Sequence, residues 1–138
     1  MTTQSLRPGL RPEWGWAIEA AQNKKAAEVT LLDLTELGAF TDAFLLCTGF
    51  SARQVQAICD EIEEQLGRRG VRPDHCEGYE KADWVLLDYG DFIVHIFTER
   101  TRVFYDLERL WRPARRIVIP DGAAGARPDG AAPGAAGA

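Results

Sequence analysis

The sequence predicts an α/β fold, a small mixed β-sheet flanked by about three helices. Three observations carry that prediction. Segments with helical spacing alternate along the chain with short apolar runs. The stretch DWVLLDYGDFIVHIF, residues 83–97, places two apolar runs around a polar, glycine-containing turn, the pattern of a β-hairpin. Ser51, followed three residues later by Gln54 and then by an apolar stripe, is a capping-box pattern that announces a helix.

Each element follows in order. Pro12 suits the first turn of a helix, and Trp14, Ala17, Ile18 and Ala21 recur after it at helical spacing. Residues 28–34, EVTLLDL, read as a strand, and Gly38 and Asp42 mark a loop. AFLLCTG, residues 43–49, is a continuous apolar run and reads as a buried strand. Val55, Ile58, Cys59, Ile62 and Leu66 then form one helical stripe, closed by Gly67 and Gly70. Residues 71–77 are a short strand or loop interrupted by Pro73. In the hairpin both runs are apolar on both faces, which places them mid-sheet. Thr98 is positioned to cap a last helix, Pro113 to stop it, and residues 115–119, RRIVI, form a candidate edge strand.

In that last helix Val103, Phe104, Leu107, Leu110 and Trp111 share one stripe, expected to face the sheet. Tyr105 lies off its centre, among Arg102, Asp106, Glu108 and Arg109. Trp84 opens a hairpin strand at the sheet's end, beside Lys81 and Asp83. Aromatic anchors rimmed by acids fit either ordinary fold surface or an interface with a basic protein.

The 138 residues are enough for one domain. A hydrophobic fraction of 46% with 27% charged residues is a globular balance, and no apolar run is long enough to cross a bilayer. After Pro120 the chain is almost wholly Ala, Gly and Pro and cannot bury enough apolar surface to offset its ordering entropy. The expected organisation is a flexible start over residues 1–10, a domain over 11–119 and a disordered tail over 120–138. The N-terminal MTTQSLRPGLRPEW has no apolar leader core. Cys47, Cys59 and Cys76 are an odd set without CxxC spacing, which fits reduced thiols and a cytoplasmic protein. A net charge of −5, with no basic block, argues against gripping nucleic acid through its phosphates.

The sequence offers few starts for catalysis. Thr48 to Ser51 lead from a strand into a helix, where backbone N–H groups can hold a phosphate, yet neither GxGxxG nor GxxxxGK[ST] occurs. Nucleotidyl transfer on a metal needs two acids converging on it. Asp60, Glu61 and Glu63 fall on the helix, while Asp74 and Glu77 fall on opposite faces of the next segment. His75 and Cys76 are adjacent and would need Asp74, Cys47 and His95 to complete a metal site; loop residues are the plainer reading. His95, alternating with Ile93 and Phe97, reads as a packed histidine with one satisfied ring nitrogen, with partner contact and catalysis as the alternatives. Asp88 and Asp91 flank the hairpin turn and read as turn residues, with a carboxylate pair as the alternative.

Three stretches then stand out together: DLTELGAFTDAFLLCTGFSARQVQAICDEI, EGYEKADWVLLDYGDFIVHIF and YDLERLW. In order and spacing they resemble the ribosomal silencing factor family, also called Iojap, over residues 23–111. The resemblance implies a fold similar to nucleotidyltransferases without their catalytic acids, no enzymatic activity and no cofactor. It implies binding to the large ribosomal subunit through that subunit's fourteenth protein, which blocks joining of the small subunit when nutrients are scarce. It also implies a homodimer when free. Carried onto the matching motifs, Trp84 and Tyr105 become contact aromatics that are expected to be dispensable for folding. Asp106 and Glu108 become acids facing a basic partner, and Asp83, Asp88 and His95 are weaker contact assignments.

Overall fold

The computed structural model describes residues 10–120; the flexible start expected for residues 1–9 and the tail expected for 121–138 lie outside the described residues. Leu10 packs on the core, and the Pro120 carbonyl accepts a hydrogen bond of 3.4 Å from Gln22 Nε2.

Helix α1 (Pro12–Asn23) leads into β1 (Ala27–Asp33), a single 3₁₀ turn (Thr35–Leu37) and β2 (Ala43–Gly49). Helix α2 (Ala52–Gly67) is followed by β3 (His75–Glu77) and the hairpin of β4 (Trp84–Asp88) and β5 (Phe92–Thr98). Two short helices, α3 (Glu99–Tyr105) and α4 (Leu107–Leu110), and β6 (Arg115–Val118) complete the domain. The six strands form one mixed sheet in the order β3-β4-β5-β2-β1-β6. Only the central β2–β5 pair is parallel; the other ladders are antiparallel. None of the described helices is long and apolar enough to cross a membrane.

Strand alternation sends Leu31, Leu45, Cys47, Val85, Leu87, Val94 and Ile96 to one face, where they meet Trp14 and Ile18 of α1 and Val55, Ile58, Ile62 and Leu66 of α2 in the main core. Both predicted helical stripes are buried there. Arg11 lies over the Trp14 ring at 5.1 Å and pairs with Asp42 at 2.7 Å, which fastens the start of α1. Ser51 caps α2 by accepting from the Gln54 N–H at 3.1 Å. The reciprocal bond of a capping box goes one residue further back: Gln54 Oε1 accepts from Phe50 N–H at 2.7 Å. The Gln54 amide also donates to the Lys24 and Lys25 carbonyls, so this residue ties α2 to the turn after α1.

The opposite face is built differently. Leu32, Phe44, Leu46, Ile93 and Phe97 form a smaller buried cluster, with Trp84, Leu86, Leu107 and Trp111 half-buried over it. Strand β4 is paired on both sides, as expected of a strand inside the sheet, but it lies next to the edge and alternates buried and half-buried residues. One expectation fails here. The last helix is not one helix with a buried stripe. Asp106 takes a left-handed conformation at φ 50°, which breaks it and turns α4 away from α3. Leu107 and Trp111 still reach the sheet, but Val103, Phe104 and Leu110, together with Phe40, are each at least 71% exposed.

Candidate protein-binding face

The second face of the sheet is an aromatic surface. In register, Trp84 lies opposite Phe97 and Leu86 opposite His95. The Trp84 ring stacks on Phe97 with centroids 5.3 Å apart, and Tyr105 descends from α3 to within 4.4 Å of it. Trp84 Nε1 donates to His95 Nδ1 at 3.1 Å. His95 meets Phe44 edge-on at 4.8 Å, and Phe44 meets Trp111 edge-on at 5.4 Å. Phe40 extends the row beyond Trp111, and Phe104 extends it beyond Tyr105. The row therefore runs from exposed Phe104 and Tyr105 through half-buried Trp84, buried His95 and Phe44 and half-buried Trp111 to exposed Phe40. Such surface, apolar at the centre and open to solvent at both ends, has the composition of a protein-binding patch.

Two devices hold the row in place. A Cβ on Gly78 would lie 2.2 Å from the Trp84 carbonyl oxygen, so the turn before β4 approaches Trp84 as only glycine can. Arg102 fastens α3 from beneath. Its Nη1 donates to the Glu28 carbonyl at 2.6 Å and to Thr48 Oγ1 at 3.0 Å. Its Nη2 donates to Thr30 Oγ1 at 3.2 Å and to Glu108 Oε2 at 2.7 Å. One buried guanidinium thus joins α3, α4, β1 and β2. The β1 backbone bulges where it does so, with Glu28 at φ 52°. Sequence spacing gave no signal for this role, because Glu28 and Thr48 lie 74 and 54 residues from Arg102.

Residues 10–136 match the family described as "Ribosomal silencing factor during starvation". A protein named ribosomal silencing factor RsfS from Halalkalibacterium halodurans is 42% identical over 103 residues, which span 75% of this chain and 88% of that one. The protein of that name from Bacillus subtilis is 41% identical over 98 residues, 71% of this chain and 83% of that one. The chain belongs to the ribosomal silencing factor family. A crystal structure of a Chromobacterium violaceum protein superposes with a TM-score of 0.70 at 33% identity, covering 81% of this chain and 88% of that one.

Against the family's motifs, the expected contact residues sort into three groups. Trp84, Tyr105, Asp83 and Asp106 are brought together at one end of the face. Asp83 pairs loosely with Lys81 at 3.7 Å, and Asp106 makes no capping bond with its side chain, so both carboxylates remain at the surface. Glu108 is only 18% exposed and is held by Arg102 at 2.7 Å and Arg116 at 3.3 Å. Its charge is spent inside the domain. His95 is buried under Trp84 and Phe44, as the packed-histidine reading expects. Its Nδ1 is satisfied, as a packed histidine requires, while Nε2 is buried without a partner among the described residues. Burial pushes its pKa down from 6.5 to about 4, so the ring is neutral at physiological pH. Asp88 stands apart at the far end of β4, where its Oδ1 accepts from Gly90 N–H at 2.8 Å as a turn residue.

Trp84 is also more than a contact residue. It carries the hydrogen bond of His95 and covers Phe97, so its removal disturbs the face itself. The exposed residues Phe104 and Leu110 were missed as contact candidates because a helical stripe was read as core, and Phe40 because it lies in the loop before β2, whose placement depends on the assembled sheet. The imagined metal set does not assemble: Cys47 and His95 lie on opposite faces of the sheet, and His75 lies on the edge strand β3.

Proposed function

We propose that this chain binds the large ribosomal subunit through that subunit's fourteenth protein and, seated on the surface that meets the small subunit, keeps the two apart when nutrients are scarce. The family is named for a regulatory act on the ribosome and not for a reaction. The observation that carries the reading is the solvent-open aromatic row from Phe104 through Tyr105 and Trp84 to Trp111 and Phe40. Asp83 and Asp106 beside it suit a basic protein surface. The mechanism is obstruction by volume, without turnover or cofactor. A ring such as Tyr105, buried on binding, contributes about 2 kcal/mol, or roughly thirtyfold in affinity. The homodimer of the free protein belongs to the same proposal.

The competing reading, a phosphoryl or nucleotidyl transferase at the Gly49–Ser51 turn, loses its support in the local geometry. A Cβ on Gly49 would meet Val55 Cγ2 at 2.9 Å, so this glycine serves the packing of α2 on β2. The Phe50 and Gln54 N–H groups, which would hold a phosphate, are taken by Gln54 and Ser51 side chains.

Co-sedimentation with purified large subunits tests the proposal, together with assembly of whole ribosomes from purified halves. Wild-type protein is expected to travel with the large subunit and to block assembly, and Tyr105→Ala to do both far less well. Assembly that proceeds undisturbed at saturating wild-type protein overturns the proposal. Sedimentation velocity of the free protein tests the homodimer.

A further inference from the structure

A second cluster lies on the other side of the sheet, remote from the aromatic row. Cys59 and Glu63 are one helical turn apart on α2 and share a face. Cys76 is the middle residue of edge strand β3, paired with Leu87, whose side chain faces the helices. Alternation therefore turns Cys76 toward α2. The Cys59 and Cys76 sulfurs and a Glu63 carboxylate oxygen all lie within 4.8 Å of one another. They are graded in exposure from buried Cys59 through half-buried Glu63 to exposed Cys76, which gives an ion a way in.

We propose that Cys59, Cys76 and Glu63 bind a single thiophilic divalent cation such as zinc. Two sulfurs and one carboxylate oxygen are ligands that zinc prefers, and three protein ligands leave a fourth position for water. Bonds of about 2.3 Å to sulfur and about 2.1 Å to oxygen place tetrahedral ligands roughly 3.6 Å apart. The observed separations, at most 4.8 Å, exceed that value by no more than about 1.2 Å, a gap that side-chain rotation has to close on binding. The surroundings suit a cation as well. Asp60 adds a carboxylate, hydrogen-bonded to Tyr79 Oη at 3.1 Å. The Tyr89 hydroxyl is buried without a hydrogen-bond partner among the described residues. The bound ion would staple β3, a three-residue strand with every residue exposed, onto α2.

Cobalt(II) is the probe, added to the reduced full-length protein. The expected result is a saturable thiolate-to-cobalt charge-transfer absorption at one ion per chain, displaced by zinc. Zinc is also expected to raise the melting temperature by mass action. Cys76→Ser, at an exposed position, is expected to fold as wild type by circular dichroism and to lose the absorption. Glu63→Gln is expected to weaken zinc binding, because the carboxylate ligand is lost. Absence of a thiolate band in the wild type, or an undiminished band in Cys76→Ser, overturns the proposal. Neither result bears on binding to the ribosome, which is read separately by co-sedimentation.

Discussion

The two faces of the sheet are made from alternate residues of the same strands, yet they are built to different ends. The helix-covered face is aliphatic and closed: Leu31, Leu45, Val94 and Ile96 meet Ile18, Val55, Ile58 and Ile62 with almost no exposed area. The other face is aromatic and half-open, covered by two short helices that a single buried arginine holds down. On the proposed function, the contrast teaches that stability and recognition fall on opposite sides of one layer. Close packing serves the first, and rings left partly in water serve the second.

That division can be broken or sharpened by mutation. The largest loss of stability is expected from Ile58→Ala on the closed face, about 2–5 kcal/mol in urea denaturation. Arg102→Ala is expected to cost about 3 kcal/mol, because Glu108 and the Glu28 carbonyl lose their buried partner. A mild effect there would mean that the short helices hold by their rings alone. His95 makes the open face sensitive to acid. Its folded pKa, about 4, lies below its ordinary 6.5, so the unfolded chain binds the proton more readily between those values. Its contribution is fully present above pH 6.5 and is lost as pH falls toward 4. Unfolding free energies from urea titrations at pH 7 and pH 5 are expected to differ by about 2 kcal/mol from this residue, a difference that His95→Phe should remove.

Tyr105→Ala sits at the other extreme of the comparison. Its stability is expected to stay within about 1 kcal/mol of wild type, while affinity for large subunits drops by roughly thirtyfold. Trp84→Ala, by contrast, should lose both stability and binding, since it exposes Phe97 and strands His95. The smallest change is expected for Asp106→Gly. Glycine accepts the left-handed backbone, so the fold should shift by under about 1 kcal/mol; the salt dependence of subunit binding should weaken as a rim carboxylate is lost.

Local patterns made much of this legible in advance. The buried strand at residues 43–49, the capped helix that follows it and the hairpin all depend on neighbours within a few residues. The last helix was misread for a physical reason. Periodicity reports that Val103, Phe104 and Leu110 share a side, but it cannot report whether this chain or another molecule covers that side. Nor does it show that Asp106 will break the helix. Glu108 looked like a surface acid because its partner's role depends on β1 and β2, far away in sequence. The site was half visible for the same reason. Trp84 and Tyr105 announce themselves as aromatics among charges, whereas Phe40 and the placement of Cys76 over Cys59 depend on the assembled sheet.

The parallel pairing of β2 with β5 has a consequence for how the molecule comes into being. Its register joins Ala43–Gly49 to Phe92–Thr98, so the centre of the sheet closes a loop of some fifty residues, a slow step because the chain entropy is lost before the contacts are gained. During synthesis no such closure is possible until Thr98 has cleared the exit tunnel. Until then the aliphatic run of β2 has no central neighbour. A nascent copy therefore has to extend well past Thr98 before it can acquire the surface with which, on our reading, it would silence other ribosomes.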